Sequence, residues 1–371
     1  MMAAHTNRAF WQDTFGMPGT VRESPLPKID ELGEHQVLVK VHAWAINPCD
    51  HMLQDQNMGF PYPVILGCDV AGTVEAVSVS SAGGSKFRVG DRVFGFTANN
   101  GFQDFVVLDD RLIAGIPAGM PYREPVVLGL TISTSAMLLF GKDYLRLDYP
   151  KTDAVKNGKS VLVWGGSSSV GSNAIQLVTA AGYNAITTCS RKNFDYVKSL
   201  GAIQAFDYKD PDVTEKVAAE LDKGECAGII MAAGLKDGNV AACQVAAASK
   251  KQTVPFSTSN LLDKLEYAPK NVEIRRPPPG TIPRFPDYWF ETTAATFGGY
   301  LPNALAKGTY KAAPAPLVVN EKGLDGIQEA IDCQRLISQN GQEGFNEVIG
   351  RVSQNATTEM TMPVKLVVER A

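Results

Sequence analysis

Histidine and paired cysteines are scarce in this chain. Only four of its 371 residues are histidine, and all of them lie in the first 51 positions: His5, His35, His42 and His51. The six cysteines are scattered without a Cys-x-x-Cys pair: Cys49, Cys68, Cys189, Cys226, Cys243 and Cys333. This scatter argues against a disulfide framework and is typical of a protein from a reducing compartment.

Long apolar runs and an excess of positive charge are also missing. No run reaches the roughly 20 apolar residues that a membrane-spanning helix needs, and "MMAAHTNRAFWQDTFG" lacks the apolar core of a signal peptide. The net charge of −4 argues against nucleic acid or an anionic membrane as a partner. We therefore expect a cytoplasmic enzyme, and the length predicts two domains.

The first third of the chain is rich in strand patterns. "HQVLVKVHAWAIN" alternates as a strand, and "AGTVEAVS", "DRVFGF" and "DFVVLDD" follow between turns rich in Gly, Pro and Asn. Short strands joined by irregular loops, with few helical patterns between them, predict a small barrel-like domain.

The middle of the chain has a different pattern of predicted elements. The apolar strand "KSVLVWGG" precedes "VGSNAIQLVTAAG", whose apolar residues recur at helical spacing, and strands and helices alternate from there to "QTVPFS". This alternation predicts a parallel sheet with helices on both faces. Beyond it, "YWFETTAATFGGYLPNALAKG" is predicted as helical. "APAPLVVN", "LDGIQEAIDCQRLIS" and "VKLVVERA" are predicted as a return to β structure.

The turn "WGGSSSVGS" lies between the strand and the helix of the first such unit. A phosphate-binding turn needs this context, because a helix N-terminus offers free N–H groups and the positive end of its dipole. Against Gly-x-Gly-x-x-Gly the turn matches only at Gly166 and Gly171, and Ser168 takes the middle position. No Lys follows as in a nucleotide P-loop, and no Ser has the flanking glycines of a hydrolase elbow. A tight turn that binds nothing remains the alternative.

The end of the next strand favours NADPH. NAD-binding proteins carry an acidic residue about 20 positions after the turn, where it holds the ribose diol. Here that place reads "CSRKN", with Ser190, Arg191, Lys192 and Asn193. Two cations and a hydroxyl suit a 2′-phosphate. A solvated surface loop is the competing interpretation.

The chain as a whole resembles a known protein family. "LGCDVAGTVEAV" and "FRVGDRVFGF", followed by a nucleotide-binding unit and a return to the first domain, resemble the medium-chain dehydrogenase/reductase superfamily over nearly the whole chain. The resemblance implies an α/β fold: a Rossmann doubly wound parallel sheet plus a GroES-like β-barrel catalytic domain. It places the catalytic domain at 1–130 and 311–371, and the NADPH-binding domain at 131–310.

The residues at the superfamily's zinc positions differ from zinc ligands. Asn47 stands at the first zinc cysteine, and the second position, usually His before Glu, reads Cys68-Asp69. Residues 97–113 contain none of the cysteines of the structural zinc site. Cys49, His51 and Cys68 have a spacing that fits no known metal site. The resemblance therefore implies the zinc-free branch of quinone, enoyl and alkenal reductases, with no metal.

Within that branch the fungal ToxD-like group is the most similar. The similarity rests on "INPCD", "LGCDVAGTV", "WGGSSSVG" and above all "TCSRKNFDYVKSLGA". The group includes stand-alone, trans-acting enoyl reductases of polyketide pathways. Two departures from the family pattern are the missing middle glycine and the missing Asp near "AGIIMAAG". The implied cofactor-binding residues are Pro48, Gly166, Ser167, Ser168, Ser169, Val170, Gly171, Ser190, Arg191, Asn193 and Tyr208.

The resemblance also implies a reaction. Residues 168–170 face the pyrophosphate of NADPH, and Ser190, Arg191, Asn193 and Tyr208 face its adenosine phosphate. The substrate is a small-molecule or carrier-bound enoyl compound, and a polyketide synthase is a possible partner of a monomeric or homodimeric enzyme. Asn47 is the first candidate near the substrate carbonyl, and Thr134, with Thr131 as its alternative, lines the nicotinamide. A quinone or alkenal reductase and a non-reductive NADPH-binding protein remain the alternatives.

Overall fold

The computed structural model describes residues 6–57, 59, 61–78, 85–233, 236–250, 254–259, 263–276, 287–352 and 363–371. The chain divides into two compact units. One consists of Met1–Leu130 with Ala315–Ala371, and the other of Thr131–Pro314.

The described residues form sixteen strands, which alternate regularly with helices through the middle of the chain. In chain order the strands are β1 (Asn7–Gln12), β2 (Thr20–Ser24), β3 (Gln36–Ala45), β4 (Val64–Ile65), β5 (Asp69–Val77), β6 (Arg92–Phe96), β7 (Phe105–Asp109), β8 (Ile113–Gly115), β9 (Ser160–Trp164), β10 (Asn184–Cys189), β11 (Ala202–Asp207), β12 (Cys226–Met231), β13 (Val254–Thr258), β14 (Val272–Ile274), β15 (Ala315–Asn320) and β16 (Val364–Glu369).

The helices of the described residues lie mostly between β8 and β16. They are α1 (Pro48–Asp55), α2 (Gly129–Phe140), α3 (Ser169–Ala180), α4 (Phe194–Ser199), α5 (Val213–Leu221), α6 (Lys236–Ala248), α7 (Asp287–Thr293), α8 (Leu301–Ala306) and α9 (Ile327–Val352). A wider helical turn, Ala294–Tyr300, joins α7 to α8. The predicted helical stretch beyond the parallel sheet is therefore confirmed. Among the described helices, none is long and apolar enough to cross a membrane.

The first unit is built on a seven-stranded sheet in which β7 pairs with β3 outside the main strand order. That order is β15-β16-β3-β5-β6-β8, and a second sheet has the order β2-β1-β4. The pairs are antiparallel except that of β15 with β16. Along β3 the side chains of Val37, Val39, Val41 and Trp44 are buried, and they enter one apolar core. The β-rich character predicted for the first third of the chain is confirmed.

The β structure predicted for "LDGIQEAIDCQRLIS" is wrong. These residues belong to a short helical turn and to α9, and Ile327, Ile331 and Phe345 of α9 are buried in the same core as β3. The physical reason lies in the strands on either side. Because β15 and β16 are parallel, the chain between them must return along the sheet, and a helix is the usual crossover.

The second unit is built on a six-stranded sheet with the order β11-β10-β9-β12-β13-β14. Every pair in this sheet is parallel. All five residues of β9 are buried, as expected for a central strand covered on both faces. Numbered from β9, the order reads 3-2-1-4-5-6, which is the order of the Rossmann fold. The predicted doubly wound parallel sheet is therefore confirmed.

The strand order also indicates where a ligand binds in this sheet. In such a sheet, connections leave β9 and β12 toward opposite faces, and ligands bind beyond the carboxyl ends of the strands at this switch point. The turn "GGSSSVG" follows β9 directly. The topology thus places the Gly-rich turn where a dinucleotide pyrophosphate is bound in this fold.

Candidate functional site

The Gly-rich turn is tight enough to require its glycines. Gly165 has a φ of +87°, a conformation that side chains other than glycine rarely adopt. A Cβ atom on Gly166 would lie 2.0 Å from Thr187 Oγ1, and one on Gly171 would lie 2.2 Å from the carbonyl oxygen of Gly165. The first turn of α3 therefore packs directly against the end of β9.

Ser168 caps the helix that the turn opens. Its Oγ accepts a hydrogen bond from the N–H of Gly171 at 3.0 Å and donates one to the carbonyl oxygen of Gly165 at 2.8 Å. Helix geometry leaves the N–H groups of Ser169 and Val170 without intrahelical acceptors. Ser167, Ser169 and Val170 are half-buried. The residue at the missing middle glycine thus stabilises the turn, and the N-terminus of α3 offers N–H groups to an anion.

A buried amide, which the sequence analysis missed, anchors α3. Asn173 donates through Nδ2 to Thr131 Oγ1 at 3.1 Å and to the carbonyl oxygen of Ala313 at 2.9 Å. Its Oδ1 accepts a hydrogen bond from the hydroxyl of Tyr310 at 2.8 Å. The signal was a polar residue on the apolar face of the helix, three residues after Val170.

The two threonine candidates on α2 have different surroundings. Thr131 is buried, and its hydroxyl accepts the hydrogen bond from Asn173. Thr134 is half-buried. Ser135, the next residue, has its Oγ 2.7 Å from the carbonyl oxygen of Thr131 and 2.8 Å from that of Val170, and the two oxygens share its one hydroxyl hydrogen. Helix α2 is therefore tied to the Gly-rich turn through Ser135 and Asn173, and Thr134 is the more exposed of the two hydroxyls.

The basic loop after β10 brings several of its predicted residues together. The Ser190 hydroxyl donates to the hydroxyl of Tyr208 at 3.2 Å, although the two residues lie on different strand ends. The Arg191 side chain is 73% exposed, whereas Asn193 is buried. A hydroxyl pair and an exposed guanidinium thus lie beyond the carboxyl ends of β10 and β11.

Two carboxylates near Arg191 were not foreseen. Arg191 Nε lies 3.9 Å from Asp207 Oδ2, and its Nη2 lies 3.6 Å from Asp210 Oδ1. Asp207 pairs in register with Cys189, which ends β10. The parallel pairing of β10 and β11 creates this contact, so only the strand order would have indicated it. The carboxylates hold the guanidinium at the strand ends without burying it.

A second cluster of polar residues lies in the first unit around Asn47. The Asn47 side chain donates through Nδ2 to Asp69 Oδ2 at 3.0 Å and accepts a hydrogen bond through Oδ1 from Lys365 Nζ. Its backbone N–H donates to Asp50 Oδ2 at 2.7 Å. Pro48, which begins α1, is exposed. Asn47 therefore lies at the centre of a buried network, and its side chain is only 2% exposed.

Two buried groups of the first unit, the Asp50 carboxyl and the Cys68 thiol, have raised pKa values. The pKa of Asp50 rises from 3.8 to about 7, chiefly because its carboxyl group is desolvated, and its Oδ1 has no hydrogen-bond partner. The pKa of the Cys68 thiol lies well above its usual value, because of its contact with Cys49 and its burial. Ligand atoms of Cys49, Asp50 and Cys68 lie within 4.8 Å of one another. His51 instead contacts Asp55, with its Nδ1 3.3 Å from Asp55 Oδ2.

The residues at the family's zinc positions do not fit a zinc ion. Asn47 offers an amide in place of a thiolate, and both oxygens of Asp69 already accept hydrogen bonds, from Leu130, Asn47 and Lys365. The Lys365 ammonium group lies 3.1 Å from Asp69 Oδ2 and would repel a dication. The Cys68 thiol, whose pKa is raised, is also a poor ligand, because zinc binds the thiolate.

The raised pKa of Asp50 makes stability depend on pH. Between about pH 4 and pH 7 the unfolded chain loses this proton while the folded chain keeps it, so the free energy of unfolding falls as pH rises. We expect Asp50→Asn to remove this pH dependence of the free energy of unfolding. The stability difference between variant and wild type should then shift by about 3 kcal/mol in favour of the variant between pH 4 and pH 7.

Urea unfolding at several pH values measures this difference. Asp195→Asn, at an exposed position, is the control, and its profile should run parallel to that of the wild type. Parallel profiles for Asp50→Asn and the wild type would show that Asp50 is ionised in the folded chain.

Comparison with known sequences supports the description of both units. The family model of the alcohol dehydrogenase GroES-like domain matches residues 33–124. "Dehydrogenase orf1" of Aspergillus niger is 38% identical, over 84% of this chain and 91% of that protein. "Trans-enoyl reductase himH" of Aspergillus japonicus is 33% identical, over 81% of this chain and 86% of that protein. The predicted GroES-like domain is therefore confirmed.

Solved structures share the same fold. The CurK enoyl reductase covers 98% of this chain and 99% of its own, with a TM-score of 0.68 at 16% identity. Mycobacterial Rv1454c complexed with NADPH has a TM-score of 0.64 at 20% identity, and the match covers 98% of this chain and 99% of that one. At these identities the likeness shows the architecture, and the sequence relatives show the group within it.

Proposed function

The chain belongs to the medium-chain dehydrogenase/reductase superfamily of oxidoreductases, in its fungal enoyl reductase group, and from this premise we propose a specific reaction. The protein reduces an activated C=C bond, in an enoyl thioester or an enone, with NADPH and without zinc. It acts on chains delivered by a polyketide synthase, as a trans-acting enoyl reductase of secondary metabolism in the cytoplasm.

The observation that carries this proposal is the position of the Gly-rich turn. It follows β9 in a sheet of the order β11-β10-β9-β12-β13-β14, with Ser190, Arg191 and Tyr208 beyond the neighbouring strands. These residues fit a dinucleotide, because the close contact at Gly171 holds the N-terminus of α3 against the end of β9, where the pyrophosphate is bound in this fold. The relatives named trans-enoyl reductase support the choice of a C=C bond as the group reduced.

NADPH, when bound, supplies the hydride for such a reduction. The chain's own contribution is to bind and orient. The N–H groups of Ser169 and Val170, at the positive end of α3, hold the pyrophosphate, with Gly166, Ser167 and Gly171 shaping the turn. Arg191, Ser190, Tyr208 and Asn193 hold the 2′-phosphate. Pro48 is assigned to the cofactor on the resemblance alone.

Asn47 and Thr134 are the two residues that we assign to the reaction itself. The carbonyl oxygen of an enoyl substrate gains negative charge during the reduction and needs hydrogen-bond donors. Asn47 has one amide hydrogen beyond the one given to Asp69 and is the donor proposed for this oxygen, whereas the half-buried Thr134 is proposed to line the nicotinamide. No general acid is assigned, and the α-carbon takes its proton from water or a nearby hydroxyl.

A preference for NADPH follows from the basic loop. Arg191→Ala removes the exposed guanidinium that faces the 2′-phosphate, and a charge-assisted hydrogen bond of this kind is worth about 1.5–3 kcal/mol. We expect the Kd for NADPH to rise by roughly 10- to 100-fold while the Kd for NADH changes by less than about 3-fold. Titration of nicotinamide fluorescence measures both constants.

The control for Arg191 is Lys159→Ala. The Lys159 side chain is 42% exposed and pairs with Glu225, next to the opposite end of β9 from the Gly-rich turn. Its replacement should leave both constants unchanged. An equal weakening of NADPH and NADH by Arg191→Ala would remove this residue from the 2′-phosphate.

The reaction itself is tested with chelator-treated protein, deuterium-labelled NADPH and a panel of enoyl thioesters, enones, alkenals and quinones. We expect turnover of the enoyl thioesters or enones, deuterium at the β-carbon of the product, and the same rate before and after chelation. Faster reduction of quinones would favour the quinone reductase alternative. Tight NADPH binding without turnover of any acceptor would favour a non-reductive role, and loss of activity on chelation would refute zinc independence.

A further inference from the structure

A lysine ammonium group is buried in the first unit. Lys365 lies on β16, and its side chain is only 3% exposed. Its Nζ donates to Asn47 Oδ1 and lies 3.1 Å from Asp69 Oδ2. A charged group is costly to remove from water and persists in the interior only when it is paired and hydrogen-bonded. The surroundings of Lys365 must therefore be arranged for a cation.

Asp69 supplies the opposite charge. Its side chain is fully buried, its Oδ1 accepts a hydrogen bond from the N–H of Leu130 at 2.5 Å, and its Oδ2 accepts one from Asn47 Nδ2. A Cβ atom on Gly129 would lie 2.6 Å from Asp69 Oδ1, so the backbone also packs tightly against this carboxylate. The Lys365–Asp69 pair consists of one ammonium and one carboxylate and is electrically balanced.

The partners of Lys365 lie at or next to sequence positions that carry zinc ligands in other members of the family. Asn47 and Cys68 stand where zinc-dependent members carry zinc ligands, Asp69 directly follows the second of these positions, and Lys365 contacts both Asn47 and Asp69. We propose that Lys365 is a built-in cation that replaces the charge of a divalent metal in this pocket, positions Asn47 and Asp69, and excludes the metal. The proposal concerns cation binding and does not depend on which substrate the chain reduces.

The pocket retains other metal-binding groups. Cys49, Asp50 and Cys68 have ligand atoms within 4.8 Å of one another, and Asp50 Oδ1 is a buried oxygen without a hydrogen-bond partner. Two thiol groups and carboxylate oxygens form a donor set that Zn²⁺ and Co²⁺ accept. With Lys365 in place, its charge opposes a dication. Once that charge is removed, Asp69 is left as an uncompensated anion beside these donors.

Co²⁺ is the probe of this proposal, because its thiolate complexes absorb light. We compare the metal-free wild type with Lys365→Arg, which keeps the charge, and with Lys365→Met, which keeps most of the length without it. We expect no Co²⁺–thiolate absorption from the wild type or Lys365→Arg, and one Co²⁺ per chain for Lys365→Met, bound at least 100-fold more tightly than by the wild type. One Co²⁺ bound by the wild type, or equal affinities for wild type and Lys365→Met, would overturn the proposal.

The double variant Lys365→Met/Asp69→Asn keeps the proposal testable if Lys365→Met unfolds. It removes both charges of the pair, so its melting temperature should lie above that of Lys365→Met, and its affinity for Co²⁺ should be at least 10-fold lower when both can be measured. A double variant no more stable than Lys365→Met would show that Lys365 does not compensate the charge of Asp69, and would refute the proposal.

Discussion

The close contact between the first turn of α3 and the end of β9 is the constraint on which the rest of the structure depends. Gly171 lies so near Gly165 that a Cβ atom would approach its carbonyl oxygen to 2.2 Å. This contact points the N-terminus of α3 at the carboxyl edge of the parallel sheet. Ser168 secures the turn from within, and Asn173 secures the helix from outside through Thr131, Ala313 and Tyr310.

Much of the fold could be predicted from the periodicity of apolar residues. The remainder depends on which strands pair with each other. The alternation of apolar strands and amphipathic helices in the middle of the chain was sufficient for the doubly wound sheet. The strand order was not readable from residue patterns, because it depends on which strands meet. Helix α9 was missed although Leu324, Ile327 and Ile331 have helical spacing. The strand-like segments on either side favoured β structure, and only the parallel pairing of β15 with β16 explains the crossover.

The candidate site was predictable where one local stretch forms it. The Gly-rich turn and the basic loop are continuous in sequence, and each directly follows a strand of the parallel sheet. Asp207 and Lys365 were not foreseen, because each acts on residues distant in the chain: Lys365 is separated from Asn47 by 318 positions. The one local signal for Lys365 was a charged residue in the apolar strand "VKLVVE". Two compensated charges, Arg191 with its carboxylates and Lys365 with Asp69, were thus visible only in the structure.

The affinity of Gly171→Ala for NADPH tests the central claim most directly. The added methyl group has to displace the backbone of Gly165, so α3 moves away from the strand end and its N–H groups no longer meet the pyrophosphate. Gly224→Ala is the matched control, because its new methyl group would lie an ordinary 3.6 Å from the carbonyl oxygen of Gly158. The account predicts at least a roughly 10-fold higher Kd for NADPH in Gly171→Ala, a loss of about 1.4 kcal/mol, and no change in Gly224→Ala. An unchanged Kd for a folded Gly171→Ala protein would contradict it.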